Sequence, residues 1–122
     1  MEEALRRLVR EPLGVGDLEP ADVEVLREDP VCGDRLRMKA RFEGGRCAAL
    51  RWRAEACPAT LAAASLAVRE YEGRELESGP PFGRLRGAVA SLGGLGGTGA
   101  HALALVEACL EVLARNGGKR EA

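Results

Sequence analysis

Glutamine is missing from this chain of 122 residues, and asparagine (Asn116) and histidine (His101) occur once each. Scarce amides suit growth at high temperature, and a GC-rich genome biases composition the same way. With one imidazole, hydrolytic arrangements that need two are excluded, and no Cys-His-Asp nucleophile set stands apart from the candidate ligands described below. No apolar run approaches the ~18 residues of a membrane span. Nor is there a surplus of Lys and Arg to grip phosphates, since the net charge is -1 and binding to polyanions needs cations concentrated on one face. Neither nucleic acid nor a membrane is therefore expected as a partner. The start, Met1-Glu2-Glu3, is acidic where a secretory signal is basic, which points to the cytoplasm. Four cysteines in that reducing compartment are metal-binding, catalytic or simply buried rather than disulfide-paired.

The length suits one domain over residues 1–122 with a modest core, and no internal repeat is present. "EEALRRLVR" spaces Leu5, Leu8 and Val9 as in a short amphipathic helix, and residues 11–20 carry the prolines and glycines of a connector. "DVEVLRE" alternates Val23 and Val25 with charge, as a first strand does. In "DRLRMKARFEGG", Leu36, Met38, Ala40 and Phe42 alternate with Arg35, Arg37, Lys39 and Arg41, a strand with one dry and one wet face. After a Gly44-Gly45 turn, "RCAALRWRAEA" sets Ala48, Leu50 and Trp52 against Arg51 and Arg53 and closes a hairpin. "PATLAAASLAVREYEG" begins with Pro where a first helical turn accepts it and ends on Gly73. A short helix is expected around "GRLRGAVASL", and a last one from Ala100, closed by Asn116 and two glycines. This order predicts an α+β fold, a three-stranded antiparallel sheet packed against helices on one face. The arginine-rich strand faces read as solvated surface or as a dock for an acidic partner.

Cys32 and Asp34 share parity with Leu36 and Phe42, so an extended strand from Val31 onward turns both toward the core. A carboxylate placed there needs a partner. Cys57 precedes Pro58 and so falls at a helix N-cap, where free N–H groups favour a thiolate. Antiparallel pairing brings it beside Cys32 and Asp34. His101 begins the last helix, a position that favours the neutral, metal-binding imidazole. If that helix packs beside the one that follows the hairpin, Cys32, Asp34, Cys57 and His101 make a tetrahedral zinc set. The bland reading of each stands beside this: cysteine is among the most buried residues, which is how Cys47 and Cys109 are read, and His101 alone is an ordinary helix-start residue. "GGLGGTGAH" lacks the Lys-Ser/Thr ending of a phosphate loop.

"DPVCGDRLRM" resembles the "NPxCGDxI/L" signature of the IscU, SufU and NifU N-terminal family of iron-sulfur cluster assembly scaffold proteins. "EACPATLAAASLAVREYEGREL" is similar to that family's "GCxxSxASxSxxxxxxxGKxL" helix, with Ala62, Ala63, Ala64, Ser65, Gly73, Arg74 and Leu76 in register, while Pro58 takes the place of a small residue. The resemblance runs from Val23 to Leu76 and, more loosely, through "HALALVEAC" against "HCSxLAxxA". It implies an IscU/SufU-like fold in which Cys32 and Cys57 match the first two cysteines, Asp34 the aspartate and His101 the histidine. The third cysteine falls on Ala102, and Cys109 lies about two turns further along the helix.

In that family the thiolates receive sulfur from a cysteine desulfurase and hold a nascent cluster. A desulfurase and other assembly proteins are thus the implied partners. Two thiolates with His and Asp suit zinc better than a cluster that wants thiolates. The resemblance implies an assembly protein, scaffold or sulfur acceptor rather than turnover enzyme, with a zinc or labile iron-sulfur site. Cys57, or a displaced Cys109, is the candidate sulfur acceptor. The alternative is a binding module that docks or regulates assembly partners without holding a cluster.

Overall fold

The computed structural model describes residues 1–121, with side chains as far as Gly117. The elements follow as α1 (Glu3–Arg10), β1 (Val23–Glu28), β2 (Arg35–Glu43), β3 (Arg46–Glu55), α2 (Pro58–Tyr71), α3 (Gly83–Ser91) and α4 (Gly99–Glu121). The sheet is antiparallel in the order β1-β2-β3, and helices cover one face, α4 against β1 and β2 and α2 against β3. This is the expected α+β architecture. Its dry face is Val23, Val25, Leu36, Met38, Ala40, Phe42, Leu50 and Trp52, all buried. Its wet face is stitched by Arg35–Glu28, Arg37–Glu24 and Lys39–Asp17 ion pairs.

Helix α2 is hemmed in by α1, α3, α4 and β3, so almost every side of it is dry. Ala62, Ala63, Ala64 and Ala67 are buried there, because only small side chains let neighbours approach a helix from several sides. The alanine run thus accounts for its central position.

Two expectations are corrected, and the connector proves to have a structural role. The β2–β3 register slips at Arg41/Phe42, where Arg41 faces Ala49 and Phe42 faces Cys47. Ala48 is the extra residue of a bulge, which resets the alternation, so Cys47 rather than Ala48 points inward. The connector before β1, as expected free of helix and strand, docks on the sheet. Its Val15 bridges Trp52 in parallel, Gly14 and Gly16 exchange backbone hydrogen bonds with Trp52, and the indole N–H donates to the Leu13 carbonyl at 2.7 Å. The β3 edge is thereby covered. Finally, α4 does not stop at Asn116 but continues to Glu121. Gly117 lies against the Phe42 ring, where a Cβ would overlap it. Packing here overrides the helix-ending tendency of glycine, which amounts to ~1 kcal/mol.

Candidate functional site

The segment between β1 and β2 is a tight turn built on Asp29. Its backbone N–H donates to the Asp34 carbonyl at 2.8 Å, and its carbonyl accepts the Gly33 N–H at 2.8 Å. Its carboxylate Oδ1 accepts the N–H of Val31 at 2.8 Å and of Cys32 at 3.4 Å. Gly33 takes φ +78°, a left-handed conformation that costs other residues roughly 1–2 kcal/mol. The expected extended run from Val31 is therefore corrected: β2 begins only at Arg35. Strand parity reaches Asp34, which is 7% exposed, but not Cys32, which the turn leaves on the surface.

Asp34 is the hub. Both of its carboxylate oxygens accept the Cys57 N–H at 3.2 Å, and Oδ2 also accepts the Thr60 hydroxyl at 2.9 Å. Burial works against its charge, but hydrogen bonds from Cys57, Thr60 and the Cys32 thiol outweigh it and keep the carboxyl below its usual range. Cys57 is the N-cap of α2 and makes no side-chain cap bond. Its Sγ lies 3.6 Å from Thr60 Oγ1.

Around Cys32, an N–H from the Asp34 backbone favours the thiolate. Desolvation and the Asp29 and Asp34 carboxylates outweigh this and raise the thiol above its ordinary value. His101, with 64% of its side chain exposed, stands on the first turn of α4 with Nδ1 3.8 Å from Asp29 Oδ2. The histidine thus faces Asp29 rather than Asp34. Ala102, where the third cysteine of the resembled family falls, is buried at 2% exposure.

Cys32, Asp34, Cys57 and His101 accordingly gather at one end of the sheet, linked through Asp29 and Thr60. Among the described residues, no three His, Cys, Asp or Glu side chains stand close enough, as placed, to hold a metal ion. Cys47 and Cys109 belong elsewhere. Both are fully buried, with contacts to the carbonyls of Ala49 and Leu36, and burial pushes both thiols up to about 12. A persulfide on Cys109 would have to form inside the core. Asp29 and Thr60 are the residues that sequence reasoning passed over. Asp-Pro is a turn-initiating pair, whereas no local signal marks Thr60, whose hydroxyl meets Asp34 only through the fold.

The family model of the NifU-like N terminal domain matches residues 2–116, a span that contains every residue of this cluster. Among solved structures, the N-terminal part of a nitrogen-fixing NifU-like protein from Brucella abortus superposes with a TM-score of 0.69 at 16% identity. The alignment covers 99% of this chain and 95% of that one. A hypothetical protein solved by crystallography gives a TM-score of 0.60 at 15% identity, over 88% of this chain and 95% of that one. At such identities the likeness is one of fold. No curated protein matches the chain.

Proposed function

Because this chain belongs to the NifU-like N-terminal domain family, whose members take part in iron-sulfur cluster assembly, we propose that within that process it binds zinc or a labile iron-sulfur cluster through Cys32, Asp34, Cys57 and His101 and docks a cysteine desulfurase. The observation that carries this reading is the Asp34 hub, which ties the N-cap cysteine of α2 to the end of the Cys32 turn.

The donors fit such a group chemically. A carboxylate offers about four lone-pair positions, of which the Cys57 N–H and Thr60 hydroxyl occupy three, and loss of the Cys32 thiol proton on metal binding would free the remaining one on Oδ1 for the cation. Cys32 sits on an exposed turn and His101 is exposed, so both can swing to a shared ion. Two thiolates, one imidazole and one carboxylate match the borderline softness of zinc. When bound, a metal would hold both thiols deprotonated. Cys57, half-buried at the head of α2, is the candidate acceptor for sulfur delivered by a desulfurase.

Metal analysis of protein purified without chelator tests the reading. About one equivalent of zinc or iron is expected, lost in Cys32→Ser and Cys57→Ser, and less than about a tenth of an equivalent counts against the site. A second reading, a docking module that keeps the fold without the cargo, draws on Ala102 in place of a third thiol and on the absence of a ready-made ligand group among the described residues. In that case thermal stability is indifferent to chelator and to both serine variants.

A further inference from the structure

We infer that Asp29 is a positioning residue of this site: it fixes the Cys32 turn with one carboxylate oxygen and orients His101 with the other, leaving Nε2 of the imidazole for the metal or cargo. The division of labour follows from the geometry. Oδ1 is taken up by the Val31 and Cys32 N–H groups. Oδ2 faces His101 Nδ1 at 3.8 Å, an ion-pair separation that a small rotation of the exposed ring turns into a hydrogen bond. The Asp29 side chain is only 13% exposed while that of His101 is 64% exposed, so the carboxylate is the fixed partner and the imidazole the movable one.

Backbone bonds from Asp29 to Asp34 and from Gly33 to Asp29 close the turn from both sides. One residue therefore sets the position of Cys32 and the presentation of His101 together. Histidine ligands commonly give their second ring N–H to a carboxylate, which selects the tautomer and raises ligand basicity. Asp29 is placed to accept that proton from Nδ1. The consequence for metal rests on the reading proposed above, whereas the geometry does not.

Since His101 is the only histidine, its ring nitrogens give a single set of signals in long-range proton–nitrogen NMR correlation. The experiment uses metal-free, 15N-labelled full chain at about pH 8, above the ordinary imidazole pKa of about 6.5. Wild type is expected to carry the proton mainly on Nδ1. Asp29→Asn keeps an oxygen for the turn and presents its NH2 to the ring, so Nδ1 becomes an acceptor and the proton moves to Nε2. A wild-type proton mainly on Nε2, or the same distribution in wild type and D29N, overturns the inference. Should D29N fail to fold, the wild-type spectrum alone decides.

Zinc competition against a chromophoric chelator adds the consequence. D29N should weaken binding by about 10–100-fold and weaken it no further in an H101A background, whereas equal losses in both backgrounds refute orientation through His101. If wild type binds no zinc, the metal reading fails and the tautomer still decides the role of Asp29.

Discussion

Replacing Asp34 by alanine removes the acceptor for the Cys57 N–H and the Thr60 hydroxyl together. Thr60 is fully buried, so its hydroxyl is left in a dry site with only the weak Cys57 Sγ contact at 3.6 Å, at a cost of about 1–3 kcal/mol. Cys57 is half-buried, so water can partly replace the lost bond to its N–H, and that loss is smaller, about 0.5–1.5 kcal/mol. Together these give a destabilisation of roughly 3 kcal/mol, a large share of the ~5–15 kcal/mol of a typical domain. The corresponding fall in Tm is roughly 10 °C for a chain of this size.

The assay is urea unfolding of metal-free protein in chelator, on wild type, Asp34→Ala, Thr60→Val and the double variant. Thr60→Val alone removes a charge-assisted bond and should cost about 1–2 kcal/mol. In the Asp34→Ala background the same change deletes the orphaned hydroxyl, so it should be neutral or stabilising, a coupling of at least ~1 kcal/mol. A Thr60→Val cost that is equal in both backgrounds, or an Asp34→Ala protein within ~0.5 kcal/mol of wild type, refutes the hub.

Iodoacetamide in the native state should modify Cys32, which is exposed, and spare Cys47 and Cys109, whose thiols burial holds near 12. Peptide mass mapping before and after unfolding checks this, and native labelling of Cys109 would mean that the α4–sheet packing opens readily. The carboxyls of Asp34, held down by its hydrogen bonds against burial, and of Glu107, held down by Arg86, lie below their ordinary values in the folded protein. The unfolded chain therefore takes up protons first as pH falls, so their stabilisation is complete above about pH 5 and is lost progressively as pH falls through the lowered folded-state values. The urea midpoint should drop between pH 5 and 3, less steeply in Asp34→Ala, and an equal slope in that variant contradicts the assignment. Ala102→Cys should add a third thiol beside His101 and increase the iron and sulfide retained after anaerobic reconstitution, read as visible absorption. No gain over wild type would show that position 102 does not reach the cargo.

Much of the fold was legible because its elements advertise their periodicity. The alternation from Arg35 to Phe42 could only be a strand with one dry face, and the antiparallel pairing it implied placed Cys57 beside Asp34, as the Arg35–Glu55 register has it. Pro58 and Gly73 marked the ends of α2 for local reasons, a preset φ and a left-handed cap. Where alternation was carried past its element, it misled. Gly33 breaks the strand before Cys32, and the bulge at Ala48 reverses parity for Cys47. Neither a left-handed glycine nor an extra residue changes the spacing of apolar letters. The continuation of α4 past Asn116 depended on the Phe42 ring lying against Gly117, a contact between distant segments.

The sequence by itself determined the class of fold, through local periodicity, and the family, through its match to the NifU-like N terminal domain, and it named the candidate donors Cys32, Asp34, Cys57 and His101. Only the tertiary structure decided how those donors are wired. Asp34 became a hub because α2 begins where β2 does, and Asp29 meets His101 because α4 starts beside the β1–β2 turn. Hydrogen bonds between such remote segments depend on packing angles and turn geometry, which no single stretch of the chain encodes.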